Sequence, residues 1–567
     1  MQSTSAVRAT VNPAILDKVD RLFRNDDYGV WVELLQNARR AGATAVEVSI
    51  SETDAAVGEC QITIQDDGRG IDDFQHLLTL GASGWSADTQ QREDPAGMGF
   101  FALCRSVVEV HSGNHVAQIT PAVFLGKDET QVRTTDDFVR GTRLRFTRAS
   151  TKDALEKALI RVAEFCSLDV QLEGNALTRH DFLAGAHYRE TIDGIEIGFS
   201  TEFAYGVEYF DLNWNFYGAR IHHQFDSIPG LLGASGDGEL AALRARFNVL
   251  ETARVKLQLP DRRAIIQDQF LVEFVRKARA AAYRYFQMQE QHVLPFNNWK
   301  EAKALGVELP EAAQLLTTWH AQPQDEFVEP VFGPPERLLL PDISGVVLVD
   351  SDLPDAHTLE GALHTGATFD RALYNKSHQF EGYSWYDALP RLVKSAVFID
   401  KIPWAEWARG TRPETIMIEL TIEQNGRSEN LRLPALIHVQ SEDTYDACFV
   451  AVQNSPWDNN ELQGPFSVID FLLAATFCAS DDSDSDSWAT QKHDHYEGIE
   501  RDVNSYFRGP EASLVAILRK TIDWNANELA DQIGLIEFRF KRTGSGTRDW
   551  NIELVTAAAA PPQVASS

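Results

Sequence analysis

The chain has 567 residues, of which 44% are hydrophobic and 24% are charged, and its formal net charge is −31. These proportions are ordinary for a globular protein and exclude wholesale disorder, and the length suffices for about three or four domains. There is no run of about 18 or more apolar residues and no apolar block at the N-terminus, so we expect neither a membrane span nor a signal peptide. The five cysteines are scattered without a Cys-x-x-Cys pair, which favours a soluble protein of the reducing cytoplasm.

The negative charge is concentrated in the C-terminal half. Residues 301–567 hold 20 basic and 42 acidic side chains, a net charge of −22. Binding to a nucleic-acid backbone requires a basic surface, so this half disfavours nucleic acid as a partner. A local basic groove within residues 1–300 stays open as an alternative, and the simplest role of the acidity is solubility.

The first 150 residues alternate between helical and strand patterns. Apolar residues recur at helical spacing from Ala14 to Phe23 and again from about Tyr28 to Arg40. Alternating residues at 46–50 and 61–65 predict two strands, and RGTRLRF at 140–146 predicts a closing strand. We therefore expect an α/β sandwich with helices on one side of a mixed sheet.

A long polar segment interrupts this pattern. Residues 72–97 are Gly-rich and contain only a short apolar piece, and residues 100–110 then predict a helix followed by a strand. A loop of that length inside a compact domain is usually functional. We interpret residues 72–97 as a lid over a binding site.

The first candidate site lies on the second helix, in ELLQNARRAGA. Glu33 and Asn37 are four residues apart, so both project from one helical face. A carboxylate beside a carboxamide can activate water and offer oxygen ligands to Mg²⁺, which keeps waters of its own. Taken alone, the pair is most simply an ordinary solvated polar pair.

Two further candidate segments are rich in glycine. Asp66 directly follows a predicted strand, where a carboxylate can accept a hydrogen bond from an exocyclic amine, and the glycines of DDGRG let the backbone approach a flat ring. Gly97 and Gly99 open a predicted helix, whose free amide groups can cradle phosphate. A plain turn and a plain helix start are the alternatives when each segment is taken alone.

Together, and followed by Gly141-Thr142 before a strand, these segments resemble the GHKL ATPase superfamily, which includes gyrase B, Hsp90, histidine kinases and MutL and has the Bergerat nucleotide-binding fold. The helix segment ELLQNARRAGATAVEV is most similar to the MutL and MORC branch, whereas the lid stretch before GMGFF is closer to Hsp90. The resemblance covers residues 14–150. The chain departs from the family pattern at Arg40, which stands where many members have an aspartate.

The resemblance implies specific roles and the ligands ATP and Mg²⁺. Glu33 would be the general base that polarises the attacking water, Asn37 would bind Mg²⁺, and Asp66 would recognise the adenine amine with help from Thr142. The other nucleotide-binding residues that it implies are Ala41, Gly68, Gly70, Ile71, Gly81, Gly97, Met98, Gly99 and Phe100.

A weaker resemblance concerns the residues that follow. The LPDRR segment at 259–263 is similar to a leucine-proline segment in the ribosomal-S5-like second domain of Hsp90, which, as in MutL, reaches a basic residue to the γ-phosphate. By this resemblance Arg262 or Arg263, or alternatively Lys256, is a candidate γ-phosphate sensor. A surface salt bridge is the other interpretation.

The sequence as a whole predicts an α/β protein with several parts. They are a GHKL ATP-binding domain at 1–185, an S5-like α/β transducer domain at 186–320, a Pro-rich linker at 321–345, an acidic α/β domain of unknown fold at 346–555 and a disordered tail at 556–567.

The resemblance implies an ATPase in which Mg²⁺·ATP binding and slow hydrolysis drive lid closure and the rearrangement of domains, or of an ATP-dependent homodimer, acting on an unidentified protein partner. Two alternatives stay open. One is a MutL- or MORC-like ATPase that acts on DNA, which the acidic C-terminal half disfavours. The other is a nucleotide-gated interaction module that does not hydrolyse ATP, against which Glu33 counts.

Overall fold

The structure is a computed structural model of the chain. It describes residues 26–54, 58–79, 81, 84–93, 97, 99–203, 212–233, 239–258, 264–322, 333–350, 353, 355–363, 369–407, 413–435, 437–440, 447–450, 490–491, 514, 518, 536–542 and 550–556. The helix predicted from Ala14 to Phe23 lies outside these residues. Within them, no helix is long and apolar enough to cross a membrane. The chain divides into two compact units, residues 1–313 and 314–567, and each is described by itself.

The first sheet of unit 1 is mixed, as the sequence predicts. Its strand order is β3-β4-β2-β1-β5-β6, and β1 pairs antiparallel with β2 and parallel with β5. On β2 the alternate residues Cys60, Ile62 and Ile64 are buried, which gives the sheet its apolar face. The strands are β1 (Ala45–Asp54), β2 (Glu59–Asp66), β3 (Val108–Ile119), β4 (Arg133–Ala149), β5 (Asp169–Leu172) and β6 (Asn175–Ala176).

Two helices, α1 (Asp27–Arg40) and α5 (Lys152–Ala163), pack against each other, and α5 also contacts β1. The buried Trp31 indole donates a hydrogen bond to the carbonyl of Leu155 at 3.0 Å, which ties α1 to α5. Asp26 caps α1 by accepting from the Gly29 N–H at 2.8 Å. At the other end Gly42 has a φ of +74°, and its N–H donates to the Arg39 carbonyl in a Schellman turn that stops the helix. The predicted helix from about Tyr28 to Arg40 is therefore confirmed.

The segment between β2 and β3 differs from the prediction. It contains two short helices, α2 (Gln75–Leu78) and α3 (Ala87–Glu93), where the sequence suggested a largely irregular lid. The predicted helix after Gly97 is only a 3₁₀ helix (Gly99–Leu103), in which the Cys104 N–H bonds the carbonyl three residues back. The dipole of a long helix is therefore absent at this place among the described residues. Helix α4 (Pro121–Phe124) follows β3.

A second sheet completes unit 1. Its strand order is β10-β9-β12-β8-β7, and β11 also pairs with β12. A long amphipathic helix, α6 (Gln269–Gln287), buries Phe274 and Phe286, and α7 (Phe296–Ala304) follows it. The S5-like assignment of this region stays a prediction. The strands are β7 (Tyr188–Ile192), β8 (Ile195–Ser200), β9 (Trp214–Phe216), β10 (Ala219–Ile221), β11 (Ile228–Leu232) and β12 (Leu240–Val249).

The hairpin of β9 and β10 covers the side of α1 that faces the second sheet. The Gln36 amide donates to the carbonyl of Phe216 at 3.2 Å, and the Tyr28 hydroxyl donates to the carbonyl of Gly218 at 3.1 Å. The hairpin turns through Tyr217, whose φ of +52° is unusual for a bulky residue. Helix α1 is thus held by the second sheet on one side.

Unit 2 has a mixed sheet in the order β16-β15-β17-β19-β20, with β18 paired to β17 and three separate strand pairs, β13–β14, β21–β22 and β23–β24. The elements are β13 (Leu315–Thr317), β14 (Arg337–Leu339), β15 (Val346–Val349), α8 (Ala356–Leu363), β16 (Ala372–Asn375), α9 (Ser384–Asp387), β17 (Arg391–Ile399), β18 (Ile402–Pro403), β19 (Ile416–Gln424), β20 (Arg427–Pro434), β21 (Ile437–Gln440), β22 (Ala447–Val450), β23 (Ile536–Arg542) and β24 (Trp550–Thr556).

Candidate nucleotide-binding site

A cavity of about 270 Å³ lies between α1, the end of β2 and the segment that carries α2 and α3. It brings together predicted site residues from four separate stretches of sequence. Those that line it are Glu33, Asn37, Ala41, Asp66, Gly70, Ile71, Gly97, Gly99, Phe100 and Thr142.

The remaining predicted residues lie elsewhere or outside the described residues. Gly68 and Gly81 do not line the cavity, although each bonds a residue that does: the Gly68 N–H donates to Asp66 at 2.9 Å, and the Gly81 N–H donates to the carbonyl of Gly97 at 3.2 Å. Lys256 does not line it either. Met98, Arg262 and Arg263 are not among the described residues.

Glu33 and Asn37 occupy one face of α1 at the cavity wall, as their spacing predicts. Glu33 is buried, with 5% of its surface exposed. A Cβ atom on Gly99 would lie 2.2 Å from Glu33 Oε2 and 3.6 Å from Asn37 Nδ2. Only glycine at position 99 therefore leaves the carboxylate in its present place.

Asp66 ends β2 with its carboxylate at the cavity. It accepts hydrogen bonds from the backbone N–H groups of Gly68 and Thr142. Burial raises the pKa of Asp66, and these two hydrogen bonds only partly oppose the shift. Gly141 approaches so closely, at a φ of +73°, that a Cβ there would lie 2.1 Å from the Asp66 carbonyl oxygen. A glycine is needed at this contact between β4 and the end of β2.

The neighbouring carboxylate, Asp67, has a structural role. Its Oδ1 accepts from the N–H groups of Thr44 at 2.7 Å and Ala45 at 2.9 Å. The hydrogen bond from the Ala45 backbone, followed by that from the Thr44 hydroxyl, lowers the pKa of Asp67 to about 2. The two adjacent aspartates of DDGRG thus have different roles: Asp66 faces the cavity, and Asp67 stabilises the start of β1 through hydrogen bonds.

Several cavity residues were not predicted from the sequence. Arg69 donates to the carbonyl of Gly84 at 3.2 Å, and its guanidinium lies 5.4 Å from the ring centre of Trp85, so the DDGRG loop holds the segment that precedes α3. The other lining residues that sequence reasoning missed are Leu34, Ala38, Arg40, Ile64, Asp72, Asp73, His76, Leu77 and Leu144. A helical-face argument from Glu33 would have found Arg40, seven residues further along the helix, whereas the segment from 72 to 85 offers only a short apolar piece.

A buried charge cluster lies beside the cavity. Glu93, at the end of α3, accepts hydrogen bonds from Arg39 Nη2 at 2.6 Å and from Arg40 Nε at 2.9 Å. Burial alone would raise the pKa of Glu93, but the two guanidinium groups overcome it and the pKa is lowered. Glu93 is therefore ionised at neutral pH and holds α3 against α1.

The donor atoms at the cavity suit a magnesium ion that is bound together with phosphate. Within the described part of the chain, no group of three or more His, Cys, Asp or Glu residues is arranged to hold a metal by itself. Mg²⁺ does not need one, because it commonly binds through one or two protein oxygens plus water and substrate phosphate. Glu33 and Asn37 offer such oxygens on one wall of the cavity.

Comparison with known proteins agrees with this geometry. Residues 28–149 match the family described as histidine kinase-, DNA gyrase B-, and HSP90-like ATPase, and this range contains every residue that lines the cavity. One similar solved structure is the ATPase region of Saccharomyces cerevisiae topoisomerase II bound to ICRF-187 (dexrazoxane), at 11% identity and a TM-score of 0.29, over 46% of this chain and 85% of that one. A likeness at that TM-score bears on neither fold nor function. No curated protein matches the chain. Residues 28–149 thus form a domain of the GHKL ATPase superfamily.

Proposed function

We propose that the chain binds Mg²⁺·ATP in this cavity and hydrolyses it slowly, with Glu33 as the general base. The observation that carries the proposal is the convergence of Glu33, Asn37, Asp66 and Gly99 on one cavity within the GHKL domain, although they are spread over 67 residues of sequence.

The β2 end of the cavity suits an adenine ring. Asp66 presents a carboxylate whose hydrogen-bond donors, Gly68 and Thr142, are backbone groups. Its acceptor oxygens suit the exocyclic amine of adenine, and apolar side chains of Ile64 and Leu144 line the same cavity. This combination supports recognition of a flat ring that carries an amine.

The α1 end suits the phosphates and the reacting water. Gly97 and Gly99 leave room for close approach to the backbone, and Gly97 has a φ of +61° that favours glycine. Asn37 would hold Mg²⁺, which when bound would neutralise charge on the phosphate oxygens. Glu33, whose carboxylate occupies the space that Gly99 leaves open, would orient and polarise a water molecule by accepting its hydrogen bond.

ATP turnover would act on the rest of the chain through residues 84–93. Gly84 and Trp85 line the cavity and Glu93 binds α1, which supports a link between nucleotide binding and the position of residues 84–93, the lid segment. We propose that the linked movement rearranges domains, or an ATP-dependent homodimer, and acts on a protein partner in the cytoplasm. The net charge of −22 over residues 301–567 supports a protein partner over DNA.

Hydrolysis assays test these proposals. The purified chain should release phosphate slowly from Mg²⁺·ATP, and Glu33→Gln should lower the rate by about 100-fold or more while ATP affinity stays within about threefold. Added double-stranded DNA should leave the rate unchanged. A rate that Glu33→Gln does not alter would refute the assignment of the base, and salt-sensitive stimulation by DNA would favour the DNA-acting alternative.

A further inference from the structure

Three charged side chains are buried together where α3 meets α1. Arg39 and Arg40, adjacent on α1, both bind the same carboxylate oxygen of Glu93. The exposed fractions of these side chains are 6% for Arg39, 2% for Arg40 and 3% for Glu93. Removing both cations would be costly, since the Glu93 carboxylate would then be left as an uncompensated buried charge.

Arg40 also belongs to the cavity. Besides its bond to Glu93, its Nη1 lies 3.4 Å from Asn37 Oδ1 and its Nη2 lies 3.2 Å from Gln36 Oε1. The bond to Asn37 is at the long limit for a hydrogen bond and is therefore weak. One guanidinium thus reaches from the lid segment to the residue proposed to hold Mg²⁺ at the phosphate end of the site.

Arg39 extends the cluster to the second sheet. Its Nη1 lies 2.8 Å from Glu251 Oε1 and 2.7 Å from Glu251 Oε2, and its guanidinium stacks 3.6 Å from the ring centre of Tyr217. Glu93 would therefore keep one buried cationic partner if Arg40 moved away. The arrangement allows Arg40 to exchange partners without stranding the Glu93 carboxylate.

We propose that Arg40 is a nucleotide-binding residue for which the phosphates of ATP and the carboxylate of Glu93 compete, so that phosphate binding loosens the attachment of α3 to α1. The inference rests on the proposed function, because it requires a nucleotide in the cavity. A triphosphate carries more negative charge than one carboxylate, and a guanidinium forms paired, charge-assisted hydrogen bonds with phosphate. Arg40 would therefore contribute attraction to phosphate, and the Glu93 carboxylate would restrain it.

Calorimetric titration of wild type, Glu93→Gln and Arg40→Gln with ATP and with adenosine tests the competition. Removing the competing carboxylate should tighten ATP binding by about three- to tenfold, and removing the guanidinium should weaken it by about tenfold. Adenosine has no phosphate, so its affinity should stay within about twofold in both variants. A merely structural role for Glu93 predicts the opposite sign, because a damaged site binds ATP less tightly.

Hydrogen exchange gives a second readout. Amides of residues 84–93 should exchange faster in wild type when ATP is bound than when adenosine is bound. Glu301→Gln is the matched control: it removes a carboxylate that binds Arg279 away from the cavity lining, and it should change neither affinity nor this exchange.

The outcomes separate the inference from the proposed function. If wild type binds both adenosine and ATP, and Arg40→Gln binds them with the same ratio of affinities as wild type, the inference is overturned and the proposed function stands. Weaker ATP binding by a folded Glu93→Gln would overturn it as well. If thermal melting shows Glu93→Gln to be unfolded, Arg40→Gln decides, since it leaves Glu93 paired with Arg39. Absence of binding by both ligands to wild type would overturn the proposed function and this inference with it.

Discussion

Replacing Gly99 with alanine should separate turnover from nucleotide binding. The new Cβ would lie 2.2 Å from Glu33 Oε2, whereas an ordinary contact is 3.4–4 Å, so the carboxylate must retreat by more than about 1 Å. Displacement of a catalytic group by that distance costs about 100-fold in rate, and we expect this loss in Gly99→Ala. Because only the end of a flexible side chain has to move, the free energy of unfolding should change by less than about 1 kcal/mol.

Single-turnover hydrolysis of ATP, calorimetric ATP binding and thermal melting measure the three quantities on one preparation. ATP affinity should fall less than the rate, by no more than about tenfold, because the Cβ would lie at an ordinary 3.6 Å from Asn37 and would only narrow the approach of phosphate to the backbone. Gly233→Ala is the control, since its nearest neighbour, the Glu239 carbonyl oxygen at 3.2 Å, lies outside the cavity lining. Turnover at the wild-type rate by Gly99→Ala would contradict the role assigned to Glu33, because Glu33 would then not act from this position.

Further predictions concern stability and its dependence on pH. Asp67→Asn should lower the free energy of unfolding by about 1 kcal/mol at pH 7, a value reduced because Asp67 is partly exposed. The hydrogen bond from Ala45, together with others, lowers the pKa of Asp67 to about 2 and so stabilises the fold at neutral pH. Urea unfolding should show that this contribution is lost as the pH falls towards 2. Burial raises the pKa of Glu360, in unit 2, from 4.5 to about 7, so the folded state loses stability as the pH rises through 7 and this buried carboxyl group ionises. In thermal melting, Glu360→Gln should be more stable than wild type by about 2 kcal/mol at pH 8 and nearly equal to it at pH 4. Tyr28→Phe removes the hydroxyl that bonds the Gly218 carbonyl and should destabilise unit 1 by about 1 kcal/mol, with faster amide exchange in the β9–β10 hairpin. Equal stability of the paired proteins at every pH would contradict the first two predictions, and unchanged exchange in the hairpin would contradict the third.

The sequence was most informative where chemistry and local periodicity coincide. Glu33 and Asn37 sit on a helix with clear 3.6-residue periodicity, and Asp66 follows an alternating strand, so both the elements and the placement of these side chains could be predicted. Gly99 and Gly141 could also be predicted, because a glycine at the start of a strand or helix often marks a place where another group approaches the backbone closely. The contacts of Gly99 with Glu33 and of Gly141 with Asp66 give that approach its physical cause.

The cluster around Glu93 could not be predicted, because it depends on contacts between distant parts of the chain. Arg40 and Glu93 are 53 residues apart, and Arg39 and Glu251 are 212 apart. The segment that carries Glu93 has neither alternation nor a helical stripe, so nothing local indicates that this carboxylate is buried while Asp72 and Asp73 are exposed. The start of the 3₁₀ helix at Gly99 was also misjudged, since a short Gly-rich run does not distinguish one turn from the first turn of a longer helix.

A calorimetric titration of ATP into wild type, Asp66→Asn and Asp67→Asn in the presence of Mg²⁺ tests directly whether this cavity binds the nucleotide. The two variants change adjacent carboxylates in the same way, but only Asp66 faces the cavity, whereas Asp67 fastens β1. We expect wild type to bind ATP, Asp66→Asn to bind it at least about tenfold more weakly, and Asp67→Asn to match wild type within about twofold. Equal affinities of all three proteins, or no binding by wild type, would contradict the assignment of this cavity as the nucleotide site.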